Sequence, residues 1–158
     1  MKKIQFHRNR TLKLTNVLKF KILVDEKDFD FNVSIEQIQS YIKTKGAIQV
    51  GPLIQYTKTF MNNENQLDME IIMMLQCNKY IHNVGLPYFM ESVIRVPNAM
   101  YCRYCGKEST LKYAYDKIYL EAFEEGVELE DYNYTVFVSS NEEDETIVAD
   151  VFVPQKEK

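Results

Sequence analysis

The sequence has few of the residues on which covalent cross-links and metal centres depend. Three cysteines in 158 residues are an odd number that does not make a disulfide framework, so we expect reduced thiols. Cys102 and Cys105 form one C-x-x-C pair, but a spacing of three in a strand points the two thiols to opposite faces. Cys77 and His82 remain possible further ligands. Buried packing is the default interpretation, and we expect no metal and no cofactor.

Long apolar runs and excess positive charge are also missing. No stretch reaches the length of a signal peptide or of a membrane span, which predicts a cytoplasmic protein. The net charge of −4 argues against a protein that binds nucleic acid by neutralising phosphates. The early basic residues alternate with apolar ones and are interpreted as the solvated face of a strand. We therefore expect neither nucleic acid nor a membrane as a partner.

Signatures of catalysis are absent as well. The chain contains no phosphate-binding glycine loop, no metalloprotease motif and no serine nucleophile elbow. The two histidines, His7 and His82, have no nucleophile or acid near them in sequence. No catalytic residue is assigned, and we expect binding rather than catalysis.

The pattern that is present predicts an α+β fold. In the second half, Ser109 is placed to cap an amphipathic helix and Gly126 to end it. Strands are predicted at Tyr132–Val138 and Thr146–Pro154 because β-branched and aromatic residues alternate there. An extended segment from Tyr88, interrupted at Pro97 and Asn98 and resumed through Cys105, precedes the helix. The apolar positions predicted to face the core from the helix are Leu111, Ala114, Tyr115, Ile118, Tyr119, Ala122 and Phe123.

The first half repeats this order. A strand is predicted at Leu12–Val24, followed by a helix with a capping box at Ser34 and Gln37 that ends at Gly46. Strands then follow at Leu53–Thr57 and Leu67–Gln76. We therefore predict a single domain over residues 1–158, built from duplicated βαββ modules at about residues 11–78 and 88–154, with one antiparallel sheet that carries both helices on one face.

Several strings resemble a known family, the gyrase-inhibitor-like (GyrI-like) small-molecule-binding domain. This domain is also the effector-binding domain of some multidrug-sensing transcription activators, and a group of uncharacterised stand-alone domains from Gram-positive bacteria is similar. The resemblance covers nearly the whole chain. The strings are IRVPNAMYCRYCGKES at Ile94–Ser109, VGPLIQY at Val50–Tyr56, LDMEIIM from Leu67, YTVF at Tyr134–Phe137 and VFVP ending at Pro154.

The resemblance implies two modules related by pseudo-twofold symmetry, with an aromatic-lined cleft between them. In the family, a glutamate in the penultimate strand recognises cationic aromatic ligands, and Thr135 stands at its position here. A hydroxyl cannot supply the charge that compensates a desolvated cation, nor act as a carboxylate base. Whether an acid from another strand replaces that glutamate stays open.

Strand alternation gives the predicted ligand-binding residues. The larger apolar set of the penultimate strand is assigned to the helices, which leaves Thr135 and Phe137 for the cleft. In the strand Leu67–Gln76, the face that starts with Leu67, Met69 and Ile71 is assigned to the core. The other face of this strand, with Ile72 and Met74, is assigned to the cleft. Glu70 is a candidate substitute acid, with a solvated carboxylate as the simpler alternative. Tyr56 is added as the counterpart of Phe137 in the first module, if the two positions are equivalent. The full predicted set is Tyr56, Glu70, Ile72, Met74, Thr135 and Phe137.

The first hypothesis for function is therefore a stand-alone, non-catalytic protein, without a DNA-binding segment, that binds a small apolar or aromatic ligand. The second is an interaction or accessory factor, possibly linked to a secretion locus, that uses the same surface to bind a protein or a second copy of the chain. The third is a small-molecule hydrolase. Ligand identity, oligomeric state and pathway stay open.

Overall fold

The computed structural model describes residues 3–22 and 31–157, with only the backbone described at Phe31. The predicted α+β class is confirmed, with six strands and two α-helices within these described residues. A one-turn 3-10 helix, Glu108–Thr110, precedes the second α-helix. In chain order the elements are β1 (Ile4–Ile22), α1 (Phe31–Thr44), β2 (Ile54–Met61), β3 (Leu67–Gln76), β4 (Tyr88–Lys107), α2 (Lys112–Glu125), β5 (Tyr132–Asn141) and β6 (Thr146–Pro154).

The chain divides into two compact units, each with its own core. The central unit is Lys13–Ile94, and the terminal unit combines the chain up to Leu12 with the chain from Arg95 onward. The predicted element order, β-α-β-β followed by β-α-β-β, is observed. The single domain and the half-module boundaries at about residues 11–78 and 88–154 stay predictions.

In the central unit, β3 lies between β1 and β2 and pairs antiparallel with both, and α1 covers one face. Ile38 and Ile42 of α1 are fully buried on that face, as their i, i+4 spacing predicts. Ile71, Met73 and Leu75 meet them from β3. The β3 residues Leu67 and Met69, predicted on the same face, are exposed because they lie beside the hairpin turn at residues 62–66. That part of the prediction is wrong.

In the terminal unit, β6 lies between β4 and β5 and pairs antiparallel with both, and α2 packs on one face. Ala114, Ile118 and Ala122 of α2 are buried, as predicted. Tyr119 and Phe123, predicted to face the core with them, are exposed. They lie on the flanks of the stripe that Ala114, Ile118 and Ala122 bury. The core is completed by Met100, Cys102 and Tyr104 of β4 and by Ile147, Ala149, Val151 and Val153 of β6.

The glycine stops were predicted correctly, whereas both side-chain caps were wrong. Gly126 takes a left-handed conformation with φ 67°, and its N–H donates to the carbonyls of Ala122 and Phe123. Gly46, just beyond α1, has φ 71°. Ser109 lies inside the 3-10 turn, and Leu111 occupies the cap position of α2 without a side-chain hydrogen bond. Helix α1 begins at Phe31, so Ser34 lies within it rather than at its start.

The interruption predicted at Pro97 and Asn98 does not occur, because β4 continues through both residues. Asn98 has φ 54°, and asparagine tolerates this left-handed conformation better than most residues, so the chain distorts locally without leaving the strand. Asn9 and Asn16 take the same conformation inside β1. The last two residues of the strand predicted at Leu12–Val24 lie outside the described residues.

Candidate functional site

The sheet of the terminal unit has a cavity of about 320 Å³ on the face opposite α2. Tyr101 and Arg103 point there because they alternate along β4 with Met100, Cys102 and Tyr104, which enter the core. The β6 residues opposite them in register, Phe152 and Asp150, share this face. We call this concavity the Asp150 cavity. Its lining residues are Gln5, His7, Arg10 and Thr11 from β1, Tyr101 and Arg103 from β4, and Asp150 and Phe152 from β6.

The conformation of Asn9 decides which β1 residues reach the cavity. Before it, Phe6 packs on the α2 side and His7 lines the cavity, as regular alternation requires. Arg8, on the α2 side, forms ion pairs with Glu121 and Glu125. Regular alternation would place Arg10 on the α2 side together with Arg8. Asn9 has φ 55°, which interrupts the alternation, so the side chain of Arg10 lines the cavity.

Asp150 is the centre of a hydrogen-bond network. Its Oδ1 accepts from the Tyr101 hydroxyl at 2.7 Å and from Arg103 Nε at 2.8 Å, and its Oδ2 accepts from a terminal nitrogen of Arg103 at 2.9 Å. The pairing with Arg103 is therefore bidentate, the strongest form of this interaction. The Asp150 side chain is 13% exposed and that of Arg103 is 42% exposed. Burial and the hydrogen bond to Asp150 raise the pKa of Tyr101 to about 12, so its hydroxyl stays a donor at neutral pH.

Aromatic rings form one wall of the Asp150 cavity. The Tyr101 ring lies 5.0 Å from that of Phe152, and His7 stacks on Tyr101 with their centroids 6.0 Å apart. The guanidinium of Arg10 lies 5.8 Å from the Tyr101 ring centroid, within cation–π range. The cavity thus combines a flat aromatic surface with fixed polar groups, which is typical of a small-molecule site.

Thr135 and Phe137 were assigned to the wrong face. Thr135 is only 2% exposed, and its hydroxyl is hydrogen-bonded to the hydroxyl of Tyr115 on α2. Phe137 packs against the core cluster that α2 covers. Tyr134 and Val136 take the opposite face by alternation, although they form the larger apolar set. The Tyr115 hydroxyl is the hydrogen-bond partner of the Thr135 hydroxyl on the α2 side, and the sequence of the strand alone does not reveal this partner.

The other predicted site residues lie together in the central unit. Tyr56 of β2 is opposite Ile72 of β3 in register. Glu70 and Met74 lie two residues before and two residues after Ile72, on the same face of β3. This face is opposite the one that α1 covers. Met74 is buried, and the carboxylate of Glu70 pairs with Lys21 Nζ at 3.2 Å. The ligand-binding role of these four residues stays a prediction.

Sequence reasoning missed the residues that line the Asp150 cavity. The sequence did contain a pattern that indicates a shared face. Tyr101 and Arg103 are separated by one apolar residue, and so are Asp150 and Phe152, so each pair lies on one face of its strand. Asp150 also lies opposite Val136 of β5 in register. An acid from a neighbouring strand is therefore present in the terminal unit, on the face opposite Thr135.

The central unit has a concavity of its own, beside α1. Its volume is about 460 Å³, and the rings of Tyr41 and Tyr88 stack in its wall with centroids 4.2 Å apart. Among the described residues that line it, Glu36 is the only charged one, and the polar residues are Gln37, Ser40 and Thr44. No bidentate ion pair like that of Arg103 and Asp150 is found among these described lining residues.

The cysteines are free thiols. Cys102 is buried under α2, and burial raises its pKa to about 12, which keeps it protonated and unreactive at neutral pH. In residues 3–22 and 31–157, no three His, Cys, Asp or Glu side chains come together as a metal site requires. None of the described helices has the length and apolar character needed to cross a membrane.

Comparison with known proteins finds similarity in structure but not in sequence. No protein-family model matches the chain, and no curated protein matches it. EcmrR in a complex with DNA matches with a TM-score of 0.70 at 15% identity over 99% of this chain, which spans 59% of the EcmrR chain. The EcmrR C-terminal domain matches with a TM-score of 0.63 at 15% identity over 98% of both chains.

A hydrolase from Listeria innocua matches with a TM-score of 0.56 at 10% identity, over 98% of this chain and 92% of the other. Identities this low show the fold alone. The chain therefore shares its α+β fold with the EcmrR C-terminal domain and with this hydrolase.

Proposed function

We propose that the chain binds a small aromatic molecule in the Asp150 cavity. The observation that carries the proposal is a nearly buried carboxylate, held by Arg103 and Tyr101 beside a wall of aromatic rings. Polar groups that are fixed in place orient a ligand without further ordering cost, and flat rings supply contact area. At about 320 Å³ the cavity suits a ligand of one or two rings.

The resemblance of the sequence to GyrI-like domains and the fold shared with the EcmrR C-terminal domain support a binding role. Membership of the GyrI-like family and the lack of catalysis are parts of this proposal. Of the four predicted residues of the central unit, Tyr56, Glu70 and Ile72 are proposed as a separate contact surface within that unit, and the buried Met74 is proposed to support it from below.

The proposal is tested by titrating the chain with 2-naphthalenemethanol, a neutral two-ring probe, in a calorimeter. We expect saturable binding that becomes about two- to twelvefold weaker on Phe152→Leu, because a favourable ring pair contributes about 0.5–1.5 kcal/mol beyond its buried area. Phe89→Leu makes the same change at a phenylalanine that is 51% exposed in the central unit and leaves the affinity unchanged. Absence of binding, or equal loss in both variants, contradicts the proposal.

A second candidate function, protein binding, is favoured by the outer face of α2. Phe123 is 84% exposed and Leu120 is 53% exposed, and Tyr113 lies on the same side of the helix. Asp116 and Glu124 flank these residues and form no ion pair with any residue that the structure describes. An apolar stripe with acidic neighbours complements an amphipathic helix whose apolar face is bordered by lysine or arginine.

Fluorescence anisotropy with a labelled leucine–lysine amphipathic peptide tests this candidate. We expect binding that is lost when the lysines of the peptide are replaced by glutamate, and that weakens at least tenfold on Phe123→Ser, as for a central interface residue. Phe89→Ser is the control, since Phe89 is exposed elsewhere. Failure of the lysine peptide to bind excludes this partner. If light scattering shows a dimer and Phe123→Ser converts it to a monomer, the outer face of α2 instead binds a second copy of the chain.

The hydrolase alternative stays a prediction. Glu70, its candidate base, is ion-paired with Lys21 through one carboxylate oxygen at 3.2 Å. Ester turnover that disappears on Glu70→Gln is the result that would favour this alternative.

A further inference from the structure

We propose that the Asp150 cavity selects an aromatic ligand that carries a negative charge, as a carboxylate or sulfonate, and that Arg10 binds this charge. The inference rests on the proposed function, because it specifies the ligand of the same cavity. It reverses the charge preference that the resemblance to cation-binding domains implies.

The negative charge of Asp150 is already compensated. Three hydrogen bonds reach its two oxygens, and two of them come from the guanidinium of Arg103 in bidentate geometry. A cationic ligand would have to displace Arg103, whose charge would then remain beside the ligand. Asp150 therefore orients the wall of the cavity, through Tyr101 and Arg103, instead of attracting a cation.

The remaining charge in the cavity is positive. The described residues that line it include two arginines, Arg10 and Arg103, and one acid, Asp150, so their formal sum with His7 counted as neutral is 2 − 1 = +1. The formal net charge of the whole chain is −4, so the charge in the cavity is opposite in sign to that of the protein. The acids Glu121 and Glu125 are paired with Arg8 on the opposite face of the sheet and do not reduce the charge in the cavity.

Arg10 is the cation that remains available. It forms no ion pair with any residue in the described part of the chain, and its guanidinium lies 5.8 Å from the Tyr101 ring centroid. A guanidinium presents paired N–H donors whose spacing matches the two oxygens of a carboxylate. His7 and Arg10 already lie over the Tyr101 ring, so a planar ligand that packs against Phe152 in the same aromatic wall would place an acidic substituent near Arg10.

The test compares three probes with the same two-ring framework at 0.05 M salt: 2-naphthoate, neutral 2-naphthalenemethanol and 2-naphthylmethylammonium. We expect the naphthoate to bind about tenfold more tightly than the alcohol, because hydrogen bonds to a charged group are stronger than those between neutral groups, and the ammonium probe to bind most weakly. The preference for the naphthoate decreases at higher salt.

Matched arginine variants identify the residue responsible. Arg10→Gln is expected to reduce the ratio of the two affinities, naphthoate over alcohol, from about ten to about one, and the ratio is the quantity measured in the parent and in the variant. Arg8→Gln, two residues away on the other face, is expected to leave both affinities unchanged. Equal affinities for all three probes, or a preference for the ammonium probe, overturn the inference but leave the proposed function standing. Failure of all three probes to bind overturns the proposed function itself. Acetate that competes as well as naphthoate overturns the aromatic part of the inference.

Discussion

Replacement of Thr135 by glutamate is expected to lower the free energy of unfolding by about 3–5 kcal/mol, because it places a carboxylate without a cationic partner in the core. Thr135 is 2% exposed, and the hydroxyl of Tyr115 is its hydrogen-bond partner in the structure. If Thr135 instead faced an open cleft, as the sequence alone suggested, the same substitution would have little effect on stability. Urea unfolding followed by circular dichroism measures the difference.

The pH dependence gives this variant a distinct signature. Burial raises the pKa of the introduced carboxyl in the folded state above its value in the unfolded chain, so the folded state binds the proton more tightly. Stability relative to the parent protein should therefore increase as the pH falls from 8 to 5. A deficit that is independent of pH over this range would point to steric disruption and not to a buried charge.

A double-mutant cycle controls for the lost hydroxyl. Thr135→Val keeps the shape of the side chain and leaves the buried Tyr115 hydroxyl without its partner, at an expected cost of about 1–3 kcal/mol. Adding Tyr115→Phe removes that unpaired group, so the double variant should recover much of the loss. Additive losses would show that the two hydroxyls do not interact in solution.

Truncation of Ile118 to alanine has the second largest expected effect, a loss of about 2–5 kcal/mol in the free energy of unfolding. Ile118 is fully buried in α2, among the β4 and β6 side chains that form the core of the terminal unit. Alanine is the best helix former, so the loss cannot come from helix propensity and reports the cavity that remains. The measurement is the urea midpoint together with the slope of the transition.

Leu120→Ala is the matched control for Ile118→Ala. The substitution also removes a branched aliphatic side chain from α2, but Leu120 is 53% exposed, so the change in stability should stay within about 0.5 kcal/mol. Equal losses at both positions would contradict the assignment of the outer face of α2 as exposed. A loss at Leu120 that grows with protein concentration would instead show that another chain covers this face.

Sequence patterns predicted the elements more reliably than their ends. The i, i+4 spacing of Ile38 and Ile42 placed α1, and Gly126 ended α2, because periodicity and a left-handed glycine are local properties of the chain. Ser109 and Ser34 were wrong as caps because a serine caps a helix only where the chain turns into it, and the surrounding packing sets that point. The continuity of β4 was missed because Asn98 accepts a positive φ that its sequence context does not reveal.

The candidate site was predicted only in part. Alternation placed Ile72 and Met74 on one face of β3, and Tyr56 of β2 lies opposite Ile72 in register. Strand alternation placed Thr135 and Tyr134 on opposite sides of β5. It did not show which of these two residues points toward α2. The lining of the Asp150 cavity was missed because its residues come from β1, β4 and β6, which are far apart in sequence and become neighbours only when the strands pair.

The sequence by itself determined the α+β class, the order of the elements and the apolar stripes that bury each helix, because these depend on residue periodicity within short segments. Tertiary structure alone decided which strand face meets α2 and which residues surround Asp150. Those outcomes depend on partners supplied by distant segments: Tyr115 for Thr135, Arg103 and Tyr101 for Asp150, and a left-handed Asn9 that directs Arg10 into the cavity.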